Sequence, residues 1–379
     1  MTALSVLVAV VQFLFGTTWT LYVLYLPQLA QNAGIGREWV PWILVADQLV
    51  FALMDVATGY WIDRVRAALG RFGLWMLAGT LITCAAFIAL PFAGASAGVL
   101  LIAILVWAVS SSALRSPPWA LLSRHAAMPS MPWLSAVVLV GTGAASALAP
   151  YLGIALRGVD ARLPFITSTL TLAAAVIVLV LAERRVTPSA APEPKPPPPL
   201  RTHFYFAGML ILALGFQVHF ALTSAARYLR FAPREQLSHL LPVFWIGFAA
   251  AMIFSGRLVK RWGMADAMVL AAALGALAML GAVLAPGLRL LIVAELVAGA
   301  SWGLASVAAY SAAVAFGRTG REGRFLGSLF AVLALAVAVR IALAGSGAAQ
   351  SYAFSVLQPW LAETLWLCAA LLLLAGRLR

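Results

Sequence analysis

Charge is scarce in this sequence: Asp, Glu, Lys and Arg make up 10% of its 379 residues, where a soluble domain carries about 25%. Apolar side chains fill 64% of the chain, and mean hydropathy is +0.99. No polar stretch is long enough to fold as a separate soluble domain, which excludes a soluble enzyme carried on a membrane tail. Lysine is nearly absent. Neither Lys195 nor Lys260 stands in a GxxxxGK[ST] phosphate loop, so nothing points to ATP-driven transport by this chain alone. The two cysteines, Cys84 and Cys368, lie inside apolar runs and offer neither a disulfide framework nor a cysteine metal site. No HExxH motif or comparable cluster of His, Cys and acids appears, which argues against a membrane metalloprotease and leaves no metal ligands to name.

What is present is a series of apolar runs, each near the roughly 20 residues that cross a bilayer. They predict an all-α polytopic membrane protein with helices near 3–28, 39–62, 72–92, 97–121, 132–156 and 163–182, then 203–226, 240–259, 264–285, 288–316, 325–346 and 357–376. The first run has no basic flank and outlasts a signal-peptide core of roughly 7–15 residues, so it reads as a retained membrane helix. Between the two sets of six lies ERRVTPSAAPEPKPPPPLR, residues 183–201, whose prolines favour an extended, solvated linker. The expected organisation is a six-helix bundle over 1–182, the linker, and a second bundle over 202–379.

The formal charge of +13 sits mostly between apolar runs, where orientation explains it better than a nucleic-acid partner. With both termini placed on one side, that side collects sixteen basic residues: Arg64, Arg66, Arg71, Arg124, Arg184, Arg185, Lys195, Arg201, Arg257, Lys260, Arg261, Arg318, Arg321, Arg324, Arg377 and Arg379. The other collects seven: Arg37, Arg157, Arg162, Arg227, Arg230, Arg234 and Arg289. Positive residues stay inside, so both termini and the linker are expected in the cytoplasm. The Arg-over-Lys bias and Ala richness suit a GC-rich bacterial genome, and hence a bacterial inner membrane.

The two halves repeat. Gly59-Tyr-Trp-Ile-Asp63-Arg64 follows the second helix, and Gly256-Arg-Leu-Val-Lys260-Arg261 follows the eighth, 197 residues later; the same offset relates Arg124 to Arg321. Parallel six-helix repeats are a recurrent transporter design, with the solute site at mid-membrane between halves. These loops resemble the GxxxDR signature of the major facilitator superfamily. The resemblance covers essentially the whole chain and implies a transporter that alternates between inward-open and outward-open forms, with its first, fourth, seventh and tenth helices lining a central cavity. It also implies a latch of Asp63 and Arg64 against the start of the eleventh helix, with Arg124 as a further partner. Lys260 leaves that latch absent or inverted in the second half.

A narrower resemblance runs through Asp55-Val-Ala-Thr-Gly59-Tyr-Trp-Ile-Asp63-Arg64-Val-Arg66, Gly70-Arg71, Trp75 and Pro117-Pro118-Trp119, which is similar to the glycoside/pentoside/hexuronide cation symporters. Asp55 matches one of that family's cation-binding acids. Phe51 stands where a second acid is usual and Arg115 occupies the fourth-helix acidic position, so the implied coupling ion is a proton rather than sodium. Ala149-Pro150-Tyr-Leu-Gly153 partly matches the Gly-Pro-x-x-Gly motif of proton-coupled drug antiporters.

Ionisable residues inside hydrocarbon face a cavity or a partner. Here they are Asp47, Asp55, Arg115, Glu295, Arg340 and Glu363, with His219 as a titratable seventh. Asp55 and Arg115 fall at similar depth and are expected to pair, either as a protonation or gating switch or as a structural tie. Glu295, Arg340 and Glu363 fall in the outer third and are expected to form one cluster, with Glu295 as proton carrier. Gln12 and Trp19 on the first helix, and Gln217 and His219 on the seventh, are the expected solute contacts. The leading reading is a monomeric secondary transporter of a small organic solute, with no cofactor and membrane lipid as its surroundings. Proton-driven efflux of amphipathic compounds is the alternative, as is a non-transporting assembly or pigment-delivery factor of the same fold.

Overall fold

The structure is a computed structural model that describes residues 2–65, 72–94, 96–186, 200–317 and 320–378. Arg66, Gly70, Arg71, Lys195, Arg318, Arg379 and residues 187–199 of the linker lie outside the described residues. Twelve helices are long and apolar enough to cross a membrane: α1 Thr2–Asn32, α2 Arg37–Arg64, α3 Gly73–Phe92, α4 Ala97–His125, α5 Met128–Ala155, α6 Arg162–Glu183, α7 Thr202–Tyr228, α8 Arg234–Trp262, α9 Met264–Val283, α10 Leu288–Phe316, α11 Glu322–Gly345 and α12 Phe354–Arg377. There is no strand among the described residues. A Gly-x-Ser-x-Gly string at Gly94–Gly98 therefore has no strand-to-helix turn to make it a nucleophile elbow.

The helices are apolar nearly all round because both neighbours and lipid demand it. Leu53, Ile253 and Leu277 point outward, while Val8, Phe244 and Leu326 are fully covered. Chain reversals are tight: Gly263, at φ +90°, joins α8 directly to α9, a conformation that a side chain would strain. The main packing partners are α2 with α11, α8 with α10, α9 with α10, α1 with α5, and α5 with α8. Under the 197-residue offset, the α2–α11 and α8–α5 contacts are equivalents.

Glycine sets both of these contacts. A Cβ on Gly327 would meet the backbone carbonyl of Asp55, and one on Gly59 the carbonyl of Gly323. At the equivalent crossing, a Cβ on Gly256 would stand 3.0 Å from the Cα of Trp133. Small residues thus bring backbones together at the end of the molecule that carries the many basic loops, called the basic end below.

Two helices depart from the regular form expected from sequence. In α4 the α-helix gives way to a 3-10 turn at Ser112–Leu114, then resumes at Ser116. Pro117 and Pro118 have no N–H to return to the carbonyls of Ala113 and Leu114. The Leu114 carbonyl is satisfied by the side-chain amide of Gln12 on α1, at 2.8 Å. In α7, residues Gln217–Thr223 form a π-helix, a wider turn often found at functional sites.

Replacing Gln12 with Leu removes the side-chain donor on the Leu114 carbonyl, and a buried unsatisfied acceptor costs about 1–3 kcal/mol. Gln12→Leu is therefore expected to lower the thermal unfolding midpoint in detergent. An unchanged midpoint would show that another group reaches that carbonyl.

Candidate functional site

Eight helices, α1, α2, α4, α5, α7, α8, α10 and α11, surround a cavity of about 680 Å³. The first, fourth, seventh and tenth helices contribute as expected, but α11 supplies five lining residues, Phe330, Leu333, Ala334, Val337 and Arg340. Gln12, Arg115 and Tyr310 lie at the deeper level near the basic end; Leu24 and Arg340 lie toward the opposite end.

Arg115 emerges at the break in α4. Its Nε stands 2.9 Å from Oδ2 of Asp55, which is fully buried. The guanidinium also lies over the rings of Phe51 and Phe330, with its carbon 4.9 and 5.4 Å from the centroids. One cation thereby ties α4 to α2 and α11. Depth along the two helices was enough to bring Asp55 and Arg115 together in the sequence reading.

Depth was not enough for the outer cluster. Arg340 joins neither Glu295 nor Glu363; it lines the cavity, and its Nε has no hydrogen-bond partner. The face of α11 on which it sits is turned to the cavity, away from α10 and α12. Glu295 pairs instead with His219, Oε2 to Nε2 at 3.1 Å, and accepts the Ser224 hydroxyl at 3.0 Å. Arg227 places Nη1 2.8 Å from Nδ1 of His219 and donates through Nη2 to the Pro359 carbonyl at 3.2 Å. The sequence reading had put Arg227 in a loop. It is 6% exposed in the last turn of α7, a position that the i, i+4, i+8 spacing of His219, Thr223 and Arg227 signals. Glu363 is buried on α12, and neither of its oxygens has a hydrogen-bond partner.

Hydrogen-bond direction fixes the protons here. Arginine can only donate, so Nδ1 of His219 accepts and the ring is neutral with its proton on Nε2. That proton is donated to Glu295, which accepts from two sides as a carboxylate. An aromatic wall separates this cluster from the cavity: Phe220 and Trp245 face the cavity, and Phe244 packs behind them at 5.2 and 5.4 Å between ring centroids. His219 and Gln217 therefore do not line the cavity, contrary to their expected role as solute contacts. The π-helical register presents Phe220 there instead. Gln12 and Trp19 do line it, although the amide of Gln12 is committed to Leu114.

Asp47 is buried, accepts the hydroxyl of Tyr22 on α1, and lies outside the cavity lining. At the basic end, the Asp63 carboxylate accepts the backbone N–H groups of Gly323 and Arg324, at 2.8 and 2.9 Å. Those are orphan donors of the first turn of α11, where the helix dipole also favours a negative charge. Arg324 covers the ring of Tyr60 at 4.8 Å. Arg64, Lys260 and Arg261 are exposed, and Arg124 is half-buried at the end of α4. Lysine has no acceptor oxygen, so Lys260 cannot cap α5 as Asp63 caps α11.

The sequence model of the Major Facilitator Superfamily matches residues 8–340. Among solved structures, the chain is similar to the human organic anion transporter MFSD10 (TETRAN), with TM-score 0.73 and 16% identity over 98% of each chain. It is similar to a bacterial homologue of the iron transporter ferroportin in an outward-facing state with soaked iron, with TM-score 0.74 and 13% identity over 99% of each chain. It is also similar to the E. coli fucose:proton symporter FucP, with TM-score 0.65 and 13% identity over 97% of each chain. At such identities the likeness concerns the fold. No curated protein matches the chain in sequence. The matches do not single out the glycoside/pentoside/hexuronide symporters.

The α2–α11 crossing is testable with spin labels at Trp61 and Arg321, both exposed beside it. Gly327→Leu, whose Cβ meets the Asp55 carbonyl, is expected to lengthen that distance outright. Asp63→Ala removes a cap worth about 0.5–2 kcal/mol and should add a longer-distance population without abolishing the short one. An unaltered distribution in both variants would show that neither contact holds this end together.

Proposed function

The chain belongs to the Major Facilitator Superfamily, and on that premise we propose that it is a secondary active transporter that moves a small organic solute by alternating access, driven by protons. The observation that carries this reading is a cavity lined by eight helices, with the glycine crossing of α2 and α11 and Asp63 on the α11 N-terminus beyond its basic end. A solute enters from the opposite end and is released at the basic end once that crossing parts. Asp63 is the latch, and the pseudo-equivalent α8–α5 crossing, which carries Lys260, moves without one. The excess of basic residues supports a cytoplasmic position for the closed end and both termini; in this reading the chain acts as a monomer in the inner membrane of a bacterium.

The proton site in this reading is His219 with Glu295. A proton that reaches Nδ1 of His219 turns the acceptor into a donor and expels Arg227, which frees α7 from the carbonyl of Pro359 on α12. Glu363, buried close enough to feel the charge of Arg227, is the group positioned to receive Arg227. The aromatic wall keeps proton and solute on separate routes, so they act on each other through the helices. Among the described residues the cavity lining holds no acid, and Asp55 behind it is already held by Arg115, which favours a proton over sodium as coupling ion.

His219→Gln tests the assignment, because glutamine keeps an acceptor for Arg227 and a donor for Glu295 but takes up no proton. Proteoliposomes that contain a trapped fluorescent pH indicator are challenged in turn with sugars, carboxylates and amines. The unsubstituted protein should move protons with one of these classes, and His219→Gln should move none while still exchanging that solute without a gradient. Proton movement at the original rate in His219→Gln removes His219 from coupling.

A further inference from the structure

The charges that face the cavity are unequal in sign. Arg115 and Arg340 are cations of the lining, and Asp55, which stands behind the lining, pairs with Arg115 alone, which leaves one positive charge in excess. That excess resides on Arg340. Its Nε has no partner, and no acid among the described residues lies near enough to act on its charge. A half-buried cation without a counter-charge at membrane depth favours an approaching anion, and Arg340 is the group in the lining placed to meet one.

The neutral groups of the cavity restrict the rest of the ligand. Thr20 spends its hydroxyl proton on the Gly16 carbonyl, 3.1 Å away, and Ser146 on the Thr142 carbonyl at 3.0 Å. Gln12 has committed its amide. A polyol needs many free donors and acceptors in fixed places, and here the side-chain donors without such a bond are few: the hydroxyls of Thr142 and Tyr310, the amide of Gln48 and the indole N–H of Trp245. Most of the rest of the lining between Arg340 and the cavity floor is apolar, with rings from Trp19, Phe51, Phe220, Trp245 and Phe330. Arg340 stands ten residues above Phe330 on α11, about 15 Å at 1.5 Å per residue. That length and the 680 Å³ volume suit a body of one to three rings or an equivalent chain.

We propose that the cavity binds an amphipathic organic monoanion, its charged head on Arg340 and its apolar body against the aromatic sleeve that runs down to Arg115. This deepens the transport reading above and rests on it for the fate of the bound ligand. Arg340, near the open end, meets the head first. Arg115 stays neutralised by Asp55, so a second negative charge on the ligand has no free cation to meet, and a lipophilic cation meets Arg340 as a like charge.

Three probes of one shape test this: 1-naphthoate, 1-naphthalenemethanol and 1-naphthylmethylammonium, with benzoate and octanoate as further monoanions. Binding to the purified full-length protein is followed by thermal shift and by quenching of tryptophan fluorescence. The naphthoate is expected to bind at least about tenfold more tightly than either uncharged or cationic analogue, in line with a charge-assisted hydrogen bond. Arg340→Gln should erase that preference, and Arg340→Lys should retain part of it, which guards against a variant that merely misfolds. Equal binding of all three naphthalene probes, a preference for the ammonium, undiminished naphthoate binding in Arg340→Gln, or no response to any monoanion at millimolar concentration overturns the proposal. Reconstituted exchange separates the two readings: a monoanion that binds through Arg340 but is never moved defeats the transport reading and leaves the site intact. A neutral solute carried equally well by Arg340→Gln does the reverse.

Discussion

A polar group that cannot reach water must find its partner inside the protein, and this requirement organises the molecule. The carbonyl freed by Pro118 takes the amide of Gln12, which docks α1 on the broken α4. Asp55 takes Arg115, which joins α2, α4 and α11. Glu295 takes His219 and Ser224, and His219 takes Arg227, so that α7, α10 and α12 share one network. Apart from the His219–Arg227 contact within α7, each of these crosses between helices, because a helix has already used its own backbone groups. Among the ionisable side chains that depart from the rule are Arg340, whose Nε has no hydrogen bond, and Glu363, neither of whose oxygens has one. They sit on opposite sides of the aromatic wall, one in the cavity and one beside the His219 network, the two places where something is expected to arrive.

The second constraint is closeness of backbone. Gly59, Gly323 and Gly327 let α2 and α11 meet with nothing but main chain between them, and Gly256 does the same where α8 meets α5. Such contacts are flat and unlocked by side chains, so they part and re-form at little cost in packing. The cap of Asp63 on α11 adds two directed hydrogen bonds to one of them. The two halves are thus alike in shape and unlike in charge, with Asp63 at one crossing and Lys260 at its counterpart.

The π-helical turn of α7 joins these themes. It lies on the boundary between cavity and buried network, with Phe220 on one side and His219 on the other. In the proposed mechanism this wider turn links the protonation of a ring nitrogen to the position of an aromatic side chain one residue away.

The sequence by itself determined the membrane architecture, because twelve apolar runs of bilayer length admit no other folded state, and it determined the doubled design, because the 197-residue offset is written in Gly59 and Gly256. It also placed Asp55 beside Arg115, since equal depth on neighbouring helices suffices when both side chains turn toward the same groove. Rotation about the helix axis is what an apolar sequence conceals. With nearly every face hydrophobic, no stripe tells inside from outside, so the sequence read His219 as facing solute and Arg340 as facing Glu295, and it ended α7 before Arg227. Only the tertiary structure decided these, through the π turn that shifts the register of α7, the prolines that break α4, and the packing of α11 that turns Arg340 into the cavity.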